Sequence, residues 1–263
     1  MRDIYYDTVG SGKEVLLCLS GFGCSNYNYE FLKNLLGKDF KLILIDNRGM
    51  GKSDLAKDHY LIDDLAQDAI LLMQKLKIES YHVMGISMGG FIAQKMALLA
   101  PQNIKSLILG CTTSGGDSFP NVNKLDEKSI RKSFSLGAEV YNRAVVEATV
   151  HPSTKSNHNS RYEDIYHLRV KHMPVLDQVL LQQYAVDKFL DEKLSLESIN
   201  CPTLILTGDE DRFISLDHSI KLNKSIQNSK LNIIENSDHH FFLEQPEVTA
   251  SLVTKFMRQE SVC

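Results

Sequence analysis

The sequence predicts an α/β fold: a mostly parallel central sheet with helices on both faces. Three observations carry this reading. Short apolar runs such as EVLLCLS at 14–20 and PTLILT at 202–207 alternate with stretches of helical periodicity. The runs are apolar throughout, as strands covered on both faces of a parallel sheet require. Between about 115 and 198 the alternation stops and only helical patterns appear, so this stretch reads as a helical insertion. A chain of 263 residues is long enough for one such domain with a substantial core.

The elements follow in order. Residues 4–9 form a first strand that turns at Gly10-Ser11-Gly12, and 14–20 a second that ends in Gly21-Phe22-Gly23. A short amphipathic helix over 29–36 stops at Gly37. Residues 41–45 form another buried strand and lead into Asp46-Asn47-Arg48-Gly49-Met50-Gly51-Lys52-Ser53. Leu61, Leu65, Ala69, Leu72, Met73 and Leu76 recur at helical spacing. An apolar strand from Tyr81 to Met84 precedes Gly85-Ile86-Ser87-Met88-Gly89-Gly90, and a helix with Phe91, Met96, Ala97 and Leu99 follows, ended by Pro101. A further strand covers 106–109; Pro120, Gly137, Pro152 and Pro174 then punctuate the insertion. Afterwards come the strand 202–207, a helix near 216–226, the strand 231–234, and a last helix that Pro246 opens.

Bulk composition narrows the function. A 43% hydrophobic and 24% charged content suits a soluble globular protein. The net charge of −4 argues against a broad nucleic-acid surface. Five cysteines (Cys18, Cys24, Cys111, Cys201, Cys263) include no Cys-x-x-Cys pair, so they read as buried thiols of a reducing compartment. The first residues lack an apolar signal core, and 15–19 is too short to span a bilayer, so a cytoplasmic location without membrane attachment is expected. Nine histidines show no metal-ligand spacing, and no metal or other cofactor is expected. Gly51-Lys52-Ser53 ends like a phosphate-cradling loop, but Asp46 stands where its first glycine belongs, placing a carboxylate where phosphate must fit. Asp46 and Arg48 read instead as a structural turn.

The chemistry centres on Gly85-x-Ser87-x-Gly89, set between a strand and a helix. A serine held on a sharp strand-to-helix turn needs small neighbours so that two backbones can pass, and the glycines supply that. The helix N-terminus then points unpaired N–H groups at the reaction site. A serine hydroxyl is a poor nucleophile unless a base removes its proton and a third group orients the base. Candidates fall on later strand ends in the required order. Gly208-Asp209-Glu210-Asp211-Arg212 follows one strand, and Ser237-Asp238-His239-His240 follows the next.

Together with SGFG at 20–23, DNRGMGKSD at 46–54, GISMGG at 85–90, GDEDRF and DHHFFLEQP, these features make the chain resemble the α/β-hydrolase superfamily. The resemblance covers everything except the helical insertion. It implies a core of 1–114 and 199–263, with 115–198 as a helical cap over the strand ends. The family's Gly-x-x-Asp pattern selects Asp211 over Asp209, and the spacing to Leu243-Glu244-Gln245-Pro246 selects His239 over His240. The family's usual glycine before that histidine is Asp238 here. The resemblance also implies an oxyanion hole from the N–H groups of Phe22 and Met88, with Ser20 in place of the usual histidine.

The resemblance thus implies a serine hydrolase of the esterase type, acting on a small-molecule acyl substrate that is free or carrier-protein-linked, by way of an acyl-enzyme. It is similar to carboxylesterases, enol-lactone hydrolases and carrier-protein methyl ester esterases. Ser87 would attack, His239 would serve as base and then acid, and Asp211 would orient it. Two other readings remain open. One is hydrolysis of a carbon–carbon bond in a ring-cleavage product; the other is a slow-turnover ligand-binding or signalling protein on this fold. Phe134, Tyr141, Tyr162, Tyr166, Met173 and Tyr184 are candidates to line a cap pocket or to pack the cap itself. Arg131, Lys132, Arg143, Arg161, Arg169 and Lys171 make part of the cap basic. That basic stretch would meet an acidic partner or substrate carboxylate, or be a solvated face. The sequence sets no oligomeric state. With an imidazole as base, activity should rise as pH passes through roughly 6 to 7. Ester hydrolysis measured from about pH 5 to 8 checks this, and a flat profile would contradict it.

Overall fold

A computed structural model describes residues 3–116, 119 and 126–260. Pro120 and Cys263, both named above, lie outside the described residues, as do Met1 and Arg2. The strands are β1 (Tyr6–Val9), β2 (Val15–Leu19), β3 (Lys41–Ile45), β4 (Tyr81–Ile86), β5 (Ile104–Gly110), β6 (Thr203–Gly208) and β7 (Ser229–Ile234). They form one sheet in the order β1-β3-β2-β4-β5-β6-β7. β1 runs antiparallel to β3, and every other pairing is parallel.

The helices are α1 (Lys33–Leu36), α2 (Ile62–Lys75), α3 (Met88–Leu99), α4 (Glu127–Ser135), α5 (Ala138–Thr149), α6 (Pro152–Asn157), α7 (Asn159–Lys171), α8 (Leu176–Leu190), α9 (Leu216–Ser225), α10 (Phe241–Glu244) and α11 (Pro246–Glu260). Between β5 and β6 the described residues carry the five helices α4 to α8 and no strand. The helix expected over 29–36 is split: a 3₁₀ turn at Asn26–Tyr29 precedes the single turn of α1. The buried hydroxyl of Tyr29 explains the break. It lies 2.9 Å from both Leu19 O and Met84 O, and its one proton, shared between these carbonyls, ties the segment to the sheet.

Alternation along the strands divides the core. Leu17 and Leu19 of β2 join a cluster with Val83, Leu107, Ile205 and the inner faces of α2 and α3. Leu16 and Cys18 join the opposite cluster with Met84, Ile108, Leu204, and Val253, Phe256 and Met257 of α11. Burial on both sides is why these strands read as unbroken apolar runs. α3 is buried along nearly its whole length between the sheet and α2, as a helix apolar on all sides should be. No helix among the described residues is long and apolar enough to cross a membrane.

Because the parallel strands share one direction, the turns after β2, β4, β6 and β7 emerge at one edge of the sheet. Leu107 lies at the middle of this arrangement and is wholly buried. Leu107→Ala is expected to cost about 2–5 kcal/mol from lost transfer energy plus a cavity, read as a lower urea midpoint.

Candidate active site

β4 ends at Ile86 and α3 begins at Met88, so a single residue makes the turn between them. That residue, Ser87, has φ 54° and ψ −119°, a conformation that costs a non-glycine residue roughly 1–3 kcal/mol. The surroundings hold it there. Ser87 N donates to Gly110 O at 2.8 Å, and Thr112 Oγ1 donates to Ser87 O at 2.8 Å. A Cβ on Gly85 would stand 2.1 Å from Gly89 O, and one on Gly89 would stand 2.0 Å from Leu19 O. These contacts require glycine at both positions.

The loops after β6 and β7 bring the other two groups to the hydroxyl. His239 Nε2 lies 3.0 Å from Ser87 Oγ, and His239 Nδ1 lies 3.0 Å from Asp211 Oδ2. Asp211 Oδ1 also accepts from Phe213 N at 2.9 Å and Ile214 N at 2.8 Å. A carboxylate fixed by two backbone donors accepts the Nδ1 proton, which leaves the Nε2 lone pair facing the serine hydroxyl. Gly208 allows the two loops to cross: a Cβ there would meet Ser237 O at 2.4 Å.

The runner-up residues have other partners. Asp209 accepts from Ser237 N at 3.1 Å and so props up the histidine loop. His240 N donates to Thr149 O, and its Nδ1 lies 2.7 Å from Thr149 Oγ1. Since that hydroxyl donates to Val145 O, it accepts from the imidazole, which puts the His240 proton on Nδ1. Asp238 has no side-chain exposure, and a buried carboxylate needs a partner. Arg212 provides it through Nε and its backbone N, and Arg212 Nη2 also donates to Glu147 O and Val150 O of the insertion.

Phe22, in the loop after β2, lines the same cavity as Ser87 and His239. Met88 is the first residue of α3, so its N–H has no acceptor within the helix. Ser20, at the position of the family's histidine, donates through Oγ to Ser25 O at 2.8 Å. The loop is held from above, where Gly23 N donates to Gln182 Oε1 of α8 at 2.6 Å. Sequence reasoning missed Gln182, Arg212 and Glu244 because their partners come from segments distant in the chain. Glu244 accepts from Thr154 Oγ1, His151 N and Asp238 N, and burial raises its pKa above the usual carboxylate value.

The cavity over Ser87 measures about 120 Å³. Of the six aromatic and methionine candidates only Tyr141 lines it. Tyr162 and Tyr166 pack into the core with Val146 and Ile165, and Tyr184 stacks on His59. Phe134 leans on Tyr141, and Met173 Sδ accepts from Asn142. The remaining wall comes from Cys24, Asn28, Val145, Thr149, Arg169, Phe213, His240 and Phe242, among others.

The basic insertion residues separate in the same way. Arg131 pairs with Glu127, Arg143 with Glu163 and Arg161 with Glu247, while Lys132 and Lys171 are exposed. Arg169 alone among the six reaches the cavity, so for it the solvated-face reading is wrong. Asp46 accepts from Asn26 N and Lys52 N, which turns the loop's amides onto a protein carboxylate instead of a phosphate. Arg48 is engaged with Asp68. Among the described residues, no group of three or more His, Cys, Asp or Glu side chains is placed to hold a metal ion.

A parallel sheet bearing a serine on a strained turn, with an imidazole and a carboxylate on later strand ends, defines the α/β-hydrolase class. Residues 14–246 match the family model described as the alpha/beta hydrolase fold, and the chain belongs to that family. It is similar to a 2-hydroxy-6-oxononadienedioate/2-hydroxy-6-oxononatrienedioate hydrolase of Pseudomonas putida, with 28% identity over 97% of this chain and 92% of the relative. An esterase structure from Exiguobacterium antarcticum shares 25% identity with a TM-score of 0.81, covering 98% of this chain and 96% of that one. An enol-lactonase from Burkholderia xenovorans LB400 shares the fold at 19% identity and a TM-score of 0.83, covering 98% and 97%.

His240 gives the site a pH-dependent stability. Burial, then the Arg169 charge and His239, hold its pKa well below the ordinary imidazole value. A depressed folded-state pKa contributes stability above the unfolded value near ~6.5, and that contribution is lost as pH falls toward the folded value. Wild type should therefore lose up to about 1.4 kcal/mol more than His240→Gln between about pH 7.5 and 5.5, measured by urea unfolding at both.

Proposed function

We propose that the protein hydrolyses a carboxylic ester or related small acyl compound through an acyl-enzyme on Ser87. The observation that carries this is the hydrogen-bonded series Ser87 Oγ to His239 Nε2 and His239 Nδ1 to Asp211, at 3.0 Å for each link. In this reading His239 takes the serine proton as Oγ attacks the carbonyl, then returns it to the leaving group. Asp211 stabilises the imidazolium between these steps. Phe22 and Met88 N–H groups receive the charge that develops on the carbonyl oxygen. Helices α4 to α8 act as a cap, supplying Tyr141, Val145, Thr149 and Arg169 to the cavity wall and keeping water from the carbonyl.

The size of the cavity favours a free small substrate over a carrier-linked one. The pairing of Arg131, Arg143 and Arg161 with neighbouring carboxylates also removes most of the basic surface that would attract an acidic carrier. Carbon–carbon hydrolysis remains the second reading, because the Pseudomonas putida relative is named for a dienedioate substrate.

A fluorophosphonate probe tests the nucleophile. Wild type should be labelled and Ser87→Ala should not, as read by intact mass. Absence of labelling in wild type would instead favour a binding protein that keeps the fold. Kinetics on short esters, lactones and ring-cleavage products then separate the two hydrolytic readings.

A further inference from the structure

Arg169 is unlike the other described Lys and Arg residues of the insertion. It sits on α7, is 7% exposed, and lines the cavity that also holds Ser87 and His239. Guanidinium groups stay charged in proteins, and an uncompensated buried charge is costly. Among the described residues, no carboxylate lies within ion-pairing distance of Arg169. Its Nε is buried without any hydrogen-bond partner. Among the described residues its hydrogen bond is from Nη1 to Cys24 Sγ at 3.7 Å, and a thiol is a weak acceptor.

The groups around it do not supply the missing charge. Burial pushes the Tyr27 and Tyr141 hydroxyls above the ordinary phenol value, so both are neutral at physiological pH. His240 is held neutral by burial and by Arg169 itself. Asp211 is committed to His239, Phe213 N and Ile214 N. The candidate site therefore contains one buried cation whose counter-ion the described chain does not provide, in a cavity of about 120 Å³.

We propose that Arg169 is a carboxylate-binding subsite, and that the substrate is a short acyl compound carrying a carboxylate that this guanidinium holds while Ser87 attacks the scissile carbonyl. The proposal rests on the hydrolase reading of Ser87 and deepens it. A guanidinium forks onto a carboxylate through paired N–H donors, which fixes orientation as well as adding affinity. Nη1, engaged among the described residues only by the Cys24 thiol, and the neighbouring Nη2 form such an end-on pair. Filling the site with a carboxylate would neutralise the buried charge. A neutral acyl group would leave that cost standing, so the site discriminates by charge as well as by size.

The test compares matched acids and amides. Monomethyl succinate, glutarate and adipate are set against the same methyl esters with the free carboxyl converted to a primary amide, and methanol release gives kcat/KM for each. In wild type, the acid of at least one chain length should exceed its amide by about tenfold or more, the scale of a charged hydrogen bond. In Arg169→Gln, that ratio should fall to about one or below. Equal or faster turnover of the amides at every length in wild type overturns the proposal, and that arm needs no variant to fold. A preference that persists in Arg169→Gln overturns it as well.

A second arm does not depend on turnover. The thermal midpoint of Ser87→Ala is measured with each acid and with its amide. Stabilisation by an acid alone, abolished when Arg169→Gln is added, supports the subsite even if wild type cleaves none of the esters. Equal effects of acid and amide overturn it. Failure of every ester together with a positive second arm would count against the hydrolase reading and leave the anion site standing.

Discussion

The candidate site depends on one close approach: the start of α3 passes against the end of β2 with no room for side chains between. Gly89 touches Leu19 O and Gly85 touches the carbonyl of Gly89, where any Cβ would fall about 2 Å from a backbone oxygen. This contact forces the single-residue turn and the positive φ at Ser87. The strain is small beside the apolar burial of α3, whose Phe91, Ile92 and Met96 are almost wholly hidden. A serine so held cannot relax into the sheet, and the other groups of the site are positioned against a fixed hydroxyl. Gly90 adds a constraint of the same kind, since a Cβ there would meet Thr112, the residue that bonds Ser87 O.

A second feature is the way the insertion is bound to the site loops. It shares both apolar clusters of the core, through Phe189 and Leu190 on one side of the sheet and Val146, Tyr162 and Ile165 on the other, and buried polar groups add specific ties. Arg212 joins Asp238 to the end of α5, Glu244 joins the histidine loop to α6, and Gln182 of α8 holds the loop of Phe22. Gln178 likewise accepts from Ala56 N and donates to Ala56 O. Such contacts are sensitive to loss of a partner, because partly satisfied networks in a low dielectric are expensive. Gln182 Nε2 and the Tyr162 hydroxyl are buried without a partner as well, but Arg169 is the one of these three groups that carries a charge, and it lines the cavity over Ser87.

Much of this was legible in advance for identifiable reasons. The strands 14–20, 41–45 and 202–207 declared themselves because burial on both faces leaves no polar positions. β7 was weaker because it is an edge strand whose Lys230, Asn232 and Ile233 are exposed. Ser87 was legible because the elbow's steric demand falls on residues two positions away in the chain. The helix over 29–36 was misread, since its break comes from the hydroxyl of Tyr29 reaching carbonyls on β2 and β4. Of the aromatic residues in the insertion, composition could not separate Tyr141, which lines the cavity, from Tyr162 and Tyr166, which pack the core.

What the sequence determined without help is the local part: apolar periodicity, glycine at the elbow, and the chain order of serine, acid and histidine. These are encoded by neighbours along the chain, where sterics and burial act over a few residues. Tertiary structure decided the rest. It brought His239, not His240, to the serine, and Asp211, not Asp209, to His239. It paired Arg131, Arg143 and Arg161 with carboxylates and left Arg169 without one among the described residues. Whether a charge is solvated, paired or stranded depends on groups that meet only when distant segments pack. No spacing along one chain records that.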